Sequence, residues 1–357
     1  PVATDKLFGD DTLQQCTLPR RGGKFLFTHV YKQKGICEGA INTMASARKE
    51  QSNTLYAPYI EKYALWAHAQ GVDDPFSCDI ATPINFMQFM KDEVFDPIKP
   101  LAKRGYSNMR VVVSALSTVL SYDSKSFGSH HMMNQFMKGL LHERPIKHRY
   151  KTQWDMNEVL NTLKQHPWGP AHRMSLDLLA KKTMLLYLLA TANRNHVLTE
   201  LRISNDRLNH RGYLIEFKIL DQEQKRVGPE PVVSIRQYAA NRFICPVWYI
   251  TAYIERTKNL RGAEQKLFIS SRKPHKAIST DTARRWVREA LKQCGVDINR
   301  FGPGSTRGAS ASAGSAQGAS LKEILCAGGW RNASTFQTWY KRPITPSTRT
   351  LAETTFR

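Results

Sequence analysis

The sequence lacks several patterns that would assign it to a common class of protein. It contains no run of about 18 or more apolar residues, so no transmembrane helix is predicted. Its six cysteines include no CxxC pair, which argues against a zinc site or a disulfide framework and predicts reduced thiols in an intracellular protein. The phosphate-binding pattern GxxxxGK[ST] is also missing, which excludes ATP-driven helicases and transposition ATPases.

Positive charge is what the sequence has in excess. Its 357 residues include 52 Lys and Arg against 30 Asp and Glu, a formal net charge of +22. Residues 151–357 hold 33 of the basic residues and only 16 of the acidic ones. Such an excess on one half of a folded chain is typical of a protein that binds a polyanion, most often nucleic acid. A basic but inert surface is the alternative that charge alone leaves open.

Length and hydrophobic periodicity predict two domains and a mainly α fold with a small antiparallel β-sheet. Residues 1–40 show little periodicity and are predicted to form a loosely structured N-terminal arm. Residues 41–141 are expected to form a small helical domain without a sheet. Residues 142–151 are basic and contain proline, which indicates an exposed linker, and residues 152–357 form the second domain.

The second domain is predicted to combine helices with a β-hairpin. Residues 174–192 are apolar on most faces, which predicts a central, buried helix. Residues 213–220 and 232–236 have the composition of two strands joined by a polar turn. Further helices are expected over residues 246–258, 281–294, 321–327 and 334–341.

Basic and aromatic residues mark three places in the second domain. Arg194 follows the buried helix, where a charged side chain either reaches solvent or points into a site. Arg307 leads into a run of small residues that allows a backbone or a ligand to approach closely. Trp330 follows two glycines, and Tyr340 is followed by two cations. Taken singly, each of these residues also fits an ordinary solvated, loop or core position.

Taken together, these residues resemble the tyrosine recombinase (phage integrase) superfamily. Trp330 lies 23 residues after Arg307, and Tyr340 lies ten residues further on. The resemblance covers nearly the whole chain and is closest to the recombinases of eukaryotic mobile elements of the DIRS and Crypton kind. It implies a two-domain clamp around duplex DNA, with a helical core-binding domain and an α+β catalytic domain, and it implies a nuclear location.

The resemblance also implies a catalytic role for four residues. Tyr340 attacks the scissile phosphate and forms a 3′-phosphotyrosyl link with a free 5′-hydroxyl, so that no ATP is needed for rejoining. Arg194 and Arg307 bind the non-bridging oxygens, because planar guanidinium groups match phosphate geometry. Trp330 packs against the nucleophile and orients it. No metal and no cofactor are implied.

The groups that transfer protons are less well defined. The resemblance implies that a lysine of the hairpin turn protonates the leaving 5′-oxygen; Lys225 fits best, and Lys218, nearer the strand, is the alternative. Gly304 stands where the family usually has a histidine, three residues before the second arginine. Either another histidine of the domain, such as His196 or His210, supplies the imidazole, or the enzyme is weakened or inactive.

The resemblance implies assembly as well as chemistry. Strand exchange in this superfamily takes place in a tetramer whose subunits dock through their C-terminal segments, while the free protein is expected to be a monomer or dimer. Here that swapping segment is residues 341–357, and Pro343 and Pro346 predict an extended arm. A catalytically weakened DNA-binding descendant and a type IB topoisomerase-like relaxing enzyme are the competing functions. The DNA site, the choice of cis or trans attack, and the reaction direction stay open.

Overall fold

The computed structural model describes residues 23–48, 50–93, 105–147, 149–219 and 232–344. The chain divides into two compact units, Pro1–Lys147 and His148–Arg357. Each unit has its own hydrophobic core. Within the described ranges, no helix is both long and apolar enough to cross a membrane.

The described part of the first unit is largely helical, and apolar residues at helical spacing form its core. A short antiparallel hairpin precedes its last helix. The helices are α1 (Gly23–Gln33), α2 (Glu38–Ala45), α3 (Glu50–Ala69), α4 (Ala81–Asp92), α5 (Tyr106–Leu116) and α6 (His131–Glu143). The hairpin strands are β1 (Ser121–Tyr122) and β2 (Lys125–Ser126).

Two predictions for the first unit are wrong. Residues 23–40 do not belong to a loose arm, because α1 is helical and buries Phe27 and Val30 in the core. These two residues are three apart and share one helix face, but the helix is too short for a clear periodic signal. The domain also contains the β1–β2 hairpin, whose turn residues Asp123 and Ser124 have positive φ angles of 48° and 59°.

The predicted linker over residues 142–151 is shorter in the structure. Helix α6 continues to Glu143, and the boundary between the units falls between Lys147 and His148. Tyr150 already belongs to the second unit, because its hydroxyl accepts a hydrogen bond of 3.1 Å from the backbone N–H of Gly302. The basic, proline-containing composition of this segment gave no indication that Tyr150 makes a tertiary contact.

The second unit is built around the predicted buried helix. This helix is α8 (Leu176–Thr191), and it packs against α9 (Pro246–Thr257), α10 (Thr280–Gln293) and α11 (Ser305–Ala316). The first three of these helices lie close to their predicted ranges. The helices of the described part are α7 (Met156–Thr162), α8 (Leu176–Thr191), α9 (Pro246–Thr257), α10 (Thr280–Gln293), α11 (Ser305–Ala316), α12 (Leu321–Gly328) and α13 (Ala333–Trp339).

A three-stranded antiparallel sheet accompanies these helices, in the order β3-β4-β5. The two predicted strands are present as β4 (Leu214–Lys218) and β5 (Val232–Arg236), with Ile215 opposite Ile235. A third strand, β3 (Leu208–His210), pairs with β4 and was not predicted, since three residues carry no readable alternation. The mainly α fold with a small antiparallel sheet is confirmed.

Helix α8 also buries a charged residue. The ammonium group of Lys182 is completely enclosed and donates hydrogen bonds to the carbonyl oxygens of Leu163 and Trp168 and to the hydroxyl of Tyr249. These three acceptors match the three donors of an ammonium group. Burial lowers the pKa of Lys182 from 10.5 to about 7. The lysine therefore ties α8 to the segments before it and to α9.

Replacing Lys182 should change how stability depends on pH. Between about pH 7 and pH 9 the unfolded chain holds a proton on this lysine that the folded chain releases, so the lysine makes the free energy of unfolding rise with pH. We subtract the free energy of unfolding of Lys182→Met from that of wild type. This difference should rise over the range by at most about 1.4 kcal/mol per pH unit. Urea unfolding at a series of pH values measures it.

The neighbouring Lys181 provides the matched control. Burial lowers the pKa of Lys181, but its ion pairs with Asp177 and Glu289 outweigh this effect and raise it. Lys181→Met should therefore shift stability by an amount that stays constant between about pH 7 and pH 9. If the effect of Lys182→Met on the free energy of unfolding were also constant over this pH range, it would contradict this account of the buried ammonium group.

Candidate active site

The end of α8 positions the first candidate arginine. The helix stops at Thr191, and Ala192 adopts a left-handed conformation with φ 49° and ψ 26°. This conformation is uncommon for a residue with a Cβ atom and costs about 1 kcal/mol. It turns the chain sharply, and Arg194 then begins a short 3-10 turn over Asn195–Thr199 with its side chain exposed.

Helix α11 positions the second arginine. Arg307 lies in its first turn and is only 3% exposed, because the small residues around it allow close packing. A Cβ atom at the next residue, Gly308, would overlap the amide nitrogen of Gln153. The guanidinium Nη1 of Arg307 donates a hydrogen bond of 2.7 Å to the carbonyl of Ala192. The strained turn after α8 is thus fixed directly to this buried cation.

Two aromatic rings lie on the Arg307 guanidinium. Its central carbon is 3.9 Å from the ring centroid of Trp330 and 5.1 Å from that of Tyr340. The two ring centroids are 4.9 Å apart. Cation–π contacts of this kind are favourable for a desolvated guanidinium group. The arrangement joins the second arginine, the tryptophan and the tyrosine into one cluster.

The charge of Arg307 is only partly compensated. Within the described ranges, neither its Nε nor its Nη2 atom has a hydrogen-bond partner, although both are buried. Burial lowers its pKa to about 10; the facing Tyr340 opposes this shift, and the positive charge of Arg194 adds to it. The side chain therefore stays charged at neutral pH. A buried cation with unused donors is costly unless an anion binds beside it.

Two glycines place the indole ring of Trp330. Gly329 has a positive φ of 62° and ends α12 in a left-handed conformation, which glycine adopts without strain. Gly328 lies directly against the indole, and a Cβ atom there would overlap the ring. Phe336 of α13 also packs against the indole, with ring centroids 5.5 Å apart. The two glycines before Trp330 are therefore explained by the backbone conformation and the close packing that this position of the indole requires.

A cavity of about 610 Å³ opens over this cluster. Among the described residues that line it, six are arginines and none is acidic, so this part of the wall offers positive charge and hydrogen-bond donors. Planar guanidinium groups of this kind match the oxygens of a phosphate rather than the needs of a metal cation. The lining residues are Arg149, Asn193, Arg194, Asn195, His196, Arg284, Arg285, Arg288, Pro303, Gly304, Arg307 and Tyr340.

The structure brings most of the predicted catalytic residues together. Arg194, Arg307 and Tyr340 line the same cavity, and Trp330 packs beneath Tyr340. Tyr340 is half-buried and follows the last residue of α13. The predicted departure, Gly304, lines the cavity as well, and a Cβ atom there would meet nothing within 4 Å. A larger side chain at this position therefore has room.

The candidate histidines and lysines lie in different places relative to the cavity. His196 lines the cavity, whereas His210 lies on β3 and shares a hydrogen bond of 3.0 Å with Thr251. Lys218 is exposed at the end of β4 and is not among the residues that line the cavity. The preferred lysine, Lys225, lies outside the described residues. The structure therefore favours His196 over His210 and leaves the choice of lysine as a prediction.

Four further arginines were missed by the sequence reasoning. Arg284, Arg285 and Arg288 project from α10 into the cavity, and Arg149 joins them from the segment before α7. The spacing of Arg284 and Arg288 places both on one helix face, which was readable from the sequence. A basic stripe on an amphipathic helix usually faces solvent, so the pattern alone did not distinguish a site.

Gly328→Ala should disturb the cluster, since the added methyl group overlaps the indole of Trp330. We expect the free energy of unfolding to fall by about 1–3 kcal/mol. Gly304→Ala is the matched control, because its methyl group has open space, and its effect should stay within about 1 kcal/mol. Denaturant unfolding measures both; equal losses would contradict the packing described here.

The fold is similar to that of solved DNA-bound recombinases. The Tn1549 transposon integrase in complex with transposon right end DNA matches with a TM-score of 0.51 at 12% identity, over 94% of this chain and 98% of that chain. The XerH site-specific recombinase, in a post-cleavage complex with palindromic difH substrate, matches with a TM-score of 0.50 at 12% identity, over 83% and 78%. At this identity the likeness concerns the fold.

The sequence comparisons give a family but no individual relative. No curated protein sequence matches the chain. The model of the phage integrase family matches residues 153–344, which is more than half of the chain and includes the whole arginine, tryptophan and tyrosine cluster. The chain therefore belongs to the phage integrase family.

Proposed function

We propose that this protein is a site-specific DNA recombinase that cleaves and rejoins DNA strands through a 3′-phosphotyrosyl intermediate. The observation that carries the proposal is the buried Arg307 guanidinium, which has two unpartnered donor atoms beside Tyr340 in a cavity with five further arginines. A phosphodiester supplies the anionic oxygens that such a cavity lacks. Membership of the phage integrase family supports DNA as the source of that phosphate.

The chemistry follows from the order of the groups in the cavity. The phenol oxygen of Tyr340 attacks the scissile phosphorus, and the bond from phosphorus to the 5′-oxygen breaks. The new phosphotyrosyl ester retains the energy needed for rejoining, so the reaction requires no ATP. Arg194 and Arg307 hold the non-bridging oxygens and stabilise the charge of the pentavalent transition state, the work that a metal ion performs in other phosphoryl-transfer enzymes.

Proton transfer in this site is assigned to His196 and a lysine of the β4–β5 turn. Of the described residues that line the cavity, His196 alone carries an imidazole. Imidazoles act as proton carriers near neutral pH, whereas guanidinium groups do not. His196 therefore takes the place of the imidazole that Gly304 lacks and accepts the phenol proton of Tyr340 during the attack. Lys225, with Lys218 as the alternative, protonates the leaving 5′-oxygen.

The biological setting is proposed from the resemblance and the charge distribution. Its excess of basic residues over residues 151–357 supports duplex DNA as the partner. The likeness to recombinases of DIRS and Crypton elements supports integration or excision of a mobile element and a nuclear location. A homo-tetramer carries out strand exchange, and the free protein is a monomer or dimer.

Gly304 supports a second candidate function. If no other group replaces the usual histidine, the protein binds recombination sites but cleaves them slowly or not at all. Loss of a general acid–base group lowers such rates by about 10²–10⁴-fold. The open space at Gly304 is compatible with this DNA-binding descendant, because nothing in the site has grown into the position of the missing ring.

A covalent-adduct assay tests the proposed reaction. The full chain is incubated in EDTA with nicked duplex DNA that carries candidate element ends and is then analysed on a denaturing gel. We expect a protein–DNA adduct that is insensitive to EDTA and absent in Tyr340→Phe, because that change removes only the attacking oxygen. DNA affinity, measured by gel shift, should be the same in both chains.

The controls separate the candidate functions. An adduct that survives in Tyr340→Phe, or that disappears in EDTA, would contradict a metal-free tyrosine nucleophile. Binding without any adduct would favour the DNA-binding descendant. Relaxation of supercoiled plasmid that lacks any element end would favour a topoisomerase-like enzyme instead.

Replacing His196 tests its assignment. His196→Gln should slow single-turnover cleavage by about 10²–10⁴-fold, since it removes the one imidazole found among the described residues of the cavity wall. Adding Gly304→His to this variant should restore part of the rate, because Gly304 lines the same cavity and a Cβ atom there meets nothing within 4 Å. His210→Gln, on β3, should leave the rate unchanged. Wild-type cleavage by His196→Gln would refute the role.

A further inference from the structure

The turn before α11 offers the cavity no side chain that could bind an anion. Residues 302–304 read Gly-Pro-Gly, and of these Pro303 and Gly304 line the cavity. A Cβ atom at Gly304 would meet nothing within 4 Å, so the space beside it is open. The side of the cavity next to this turn therefore depends on another segment for hydrogen-bond donors and positive charge.

The guanidinium group of Arg149 lies beside this turn. Its Nη2 atom is 3.3 Å from the point where a Cβ atom of Gly302 would stand. A methyl group there would press on the guanidinium group, so the glycine leaves it room. Arg149 also lines the cavity that holds Arg307 and Tyr340. An arginine from a distant part of the sequence thus brings its donors to the place where the turn has none.

Neighbouring contacts hold the segment of Arg149 in place. Its guanidinium carbon is 5.4 Å from the ring centroid of Tyr150, and the hydroxyl of Tyr150 accepts the hydrogen bond from the backbone of Gly302. The Nε atom of Arg342 donates a hydrogen bond of 3.3 Å to the carbonyl of Tyr150. Arg342 belongs to the predicted swapping segment, of which residues 345–357 lie outside the described residues. These contacts fix Tyr150, and with it Arg149, beside the start of α11.

Ion pairs distinguish the arginines of the cavity from one another. Arg284 and Arg285 each pair with an acidic residue of α10, at 3.3 and 4.0 Å. Arg149 and Arg288 have no acidic partner among the described residues. Both therefore carry positive charge that is available to an anion, and the contacts with Gly302 and Tyr150 place that charge beside the start of α11 in the case of Arg149.

We propose that Arg149 is a third arginine ligand of the scissile phosphate and supplies the positive charge that Gly304 does not. The inference rests on the proposed recombinase function. Attack by the phenol oxygen of Tyr340 adds negative charge to the two non-bridging oxygens, which Arg149 binds together with Arg194 and Arg307. A further planar, permanently charged donor on these oxygens stabilises the pentavalent transition state more than the substrate.

This role complements the one assigned to His196. A histidine at position 304 would both exchange a proton and donate a hydrogen bond to the phosphate. Here His196 accepts the proton and Arg149 provides the charge, so two residues divide the work of one missing side chain. Arg149 lies outside residues 153–344, the part of the chain that the family model matches.

A neutral phosphate analogue tests whether Arg149 acts on the scissile phosphate. In a methylphosphonate, a methyl group replaces one non-bridging oxygen, so the transition state carries one negative charge less. A cation that stabilises this charge is therefore less important for cleavage of the analogue. Single-turnover cleavage by the full chain is measured on nicked duplexes that contain the normal phosphodiester or either methylphosphonate diastereomer at the scissile position.

The substitution should affect the two kinds of substrate differently. Arg149→Ala should cleave the phosphodiester about 10–100-fold more slowly than wild type, a smaller loss than for a buried donor because Arg149 is exposed. On at least one methylphosphonate diastereomer the two chains should differ by less than about threefold. Arg149→Lys keeps the charge without the planar fork and should recover part of the phosphodiester rate.

Lys151→Ala is the matched control for the loss of one charge. Lys151 lies two residues after Arg149 and is exposed, but it is not among the residues that line the cavity. At saturating protein, its cleavage rates on both kinds of substrate should equal those of wild type. Thermal unfolding of both variants, compared with wild type, confirms that the comparison is made between folded proteins.

A second variant needs no analogue. Gly304→Lys added to Arg149→Ala should restore part of the phosphodiester rate, because Gly304 lines the same cavity and its Cβ position is open. This measurement decides the question if neither chain cleaves the methylphosphonates. An absence of any recovery would then overturn the inference.

Three further results would overturn the role of Arg149. An equal loss on the phosphodiester and on both methylphosphonates would place its contact away from the scissile phosphate. An equal loss in Lys151→Ala would attribute the effect to the general charge of the segment. An unchanged phosphodiester rate in Arg149→Ala would show that the site works without it. A wild-type chain that binds the nicked phosphodiester but never cleaves it would instead overturn the proposed function and, with it, this inference.

Discussion

The rest of the site depends on the buried guanidinium group of Arg307. It donates to the carbonyl of Ala192, whose left-handed conformation ends the central helix, and it supports the rings of Trp330 and Tyr340. Its remaining donors have no partner among the described residues. A buried, undercompensated cation lowers stability, and an anion that binds beside it relieves that cost. The cluster is therefore a site prepared for an anion.

Rigid elements rather than loops set the geometry of this site. Helix α8 is largely buried and is followed by Arg194, while α11 carries Arg307 and Ser312. The hydroxyl of Ser312 donates a hydrogen bond to the carbonyl of Tyr340. Preorganised groups of this kind reduce the freedom that must be lost before reaction. The short helix α13 holds Tyr340 against these elements, which explains how so small a helix can place a nucleophile.

Much of the fold was predictable from the sequence, for identifiable physical reasons. The central helix was found because its apolar residues cover most of its faces, and the strands β4 and β5 because their composition is typical of β-strands. Helix α1 was missed because Phe27 and Val30 are too few to give a periodic signal. The strand β3 was missed because it has only three residues and owes its conformation to pairing with β4.

Only those residues of the candidate site that belong to a recognisable sequence motif could be predicted. The spacing of Arg307, Trp330 and Tyr340 pointed to the cluster before its geometry was known. Nothing local distinguishes Ser312 from Ser310, since the difference lies in a contact 28 residues away along the chain. The arginines of α10 are exposed, as on any solvated helix face, and only the fold shows that they also line the cavity.

Mass spectrometry of the trapped covalent adduct tests the central claim most directly. After nuclease and trypsin digestion of the adduct, the peptide of residues 332–341 should carry the remaining nucleotide, and fragmentation should place it on the oxygen of Tyr340. That result would establish that the cluster around Arg307 holds the scissile phosphate. A nucleotide attached to any other residue would contradict the account.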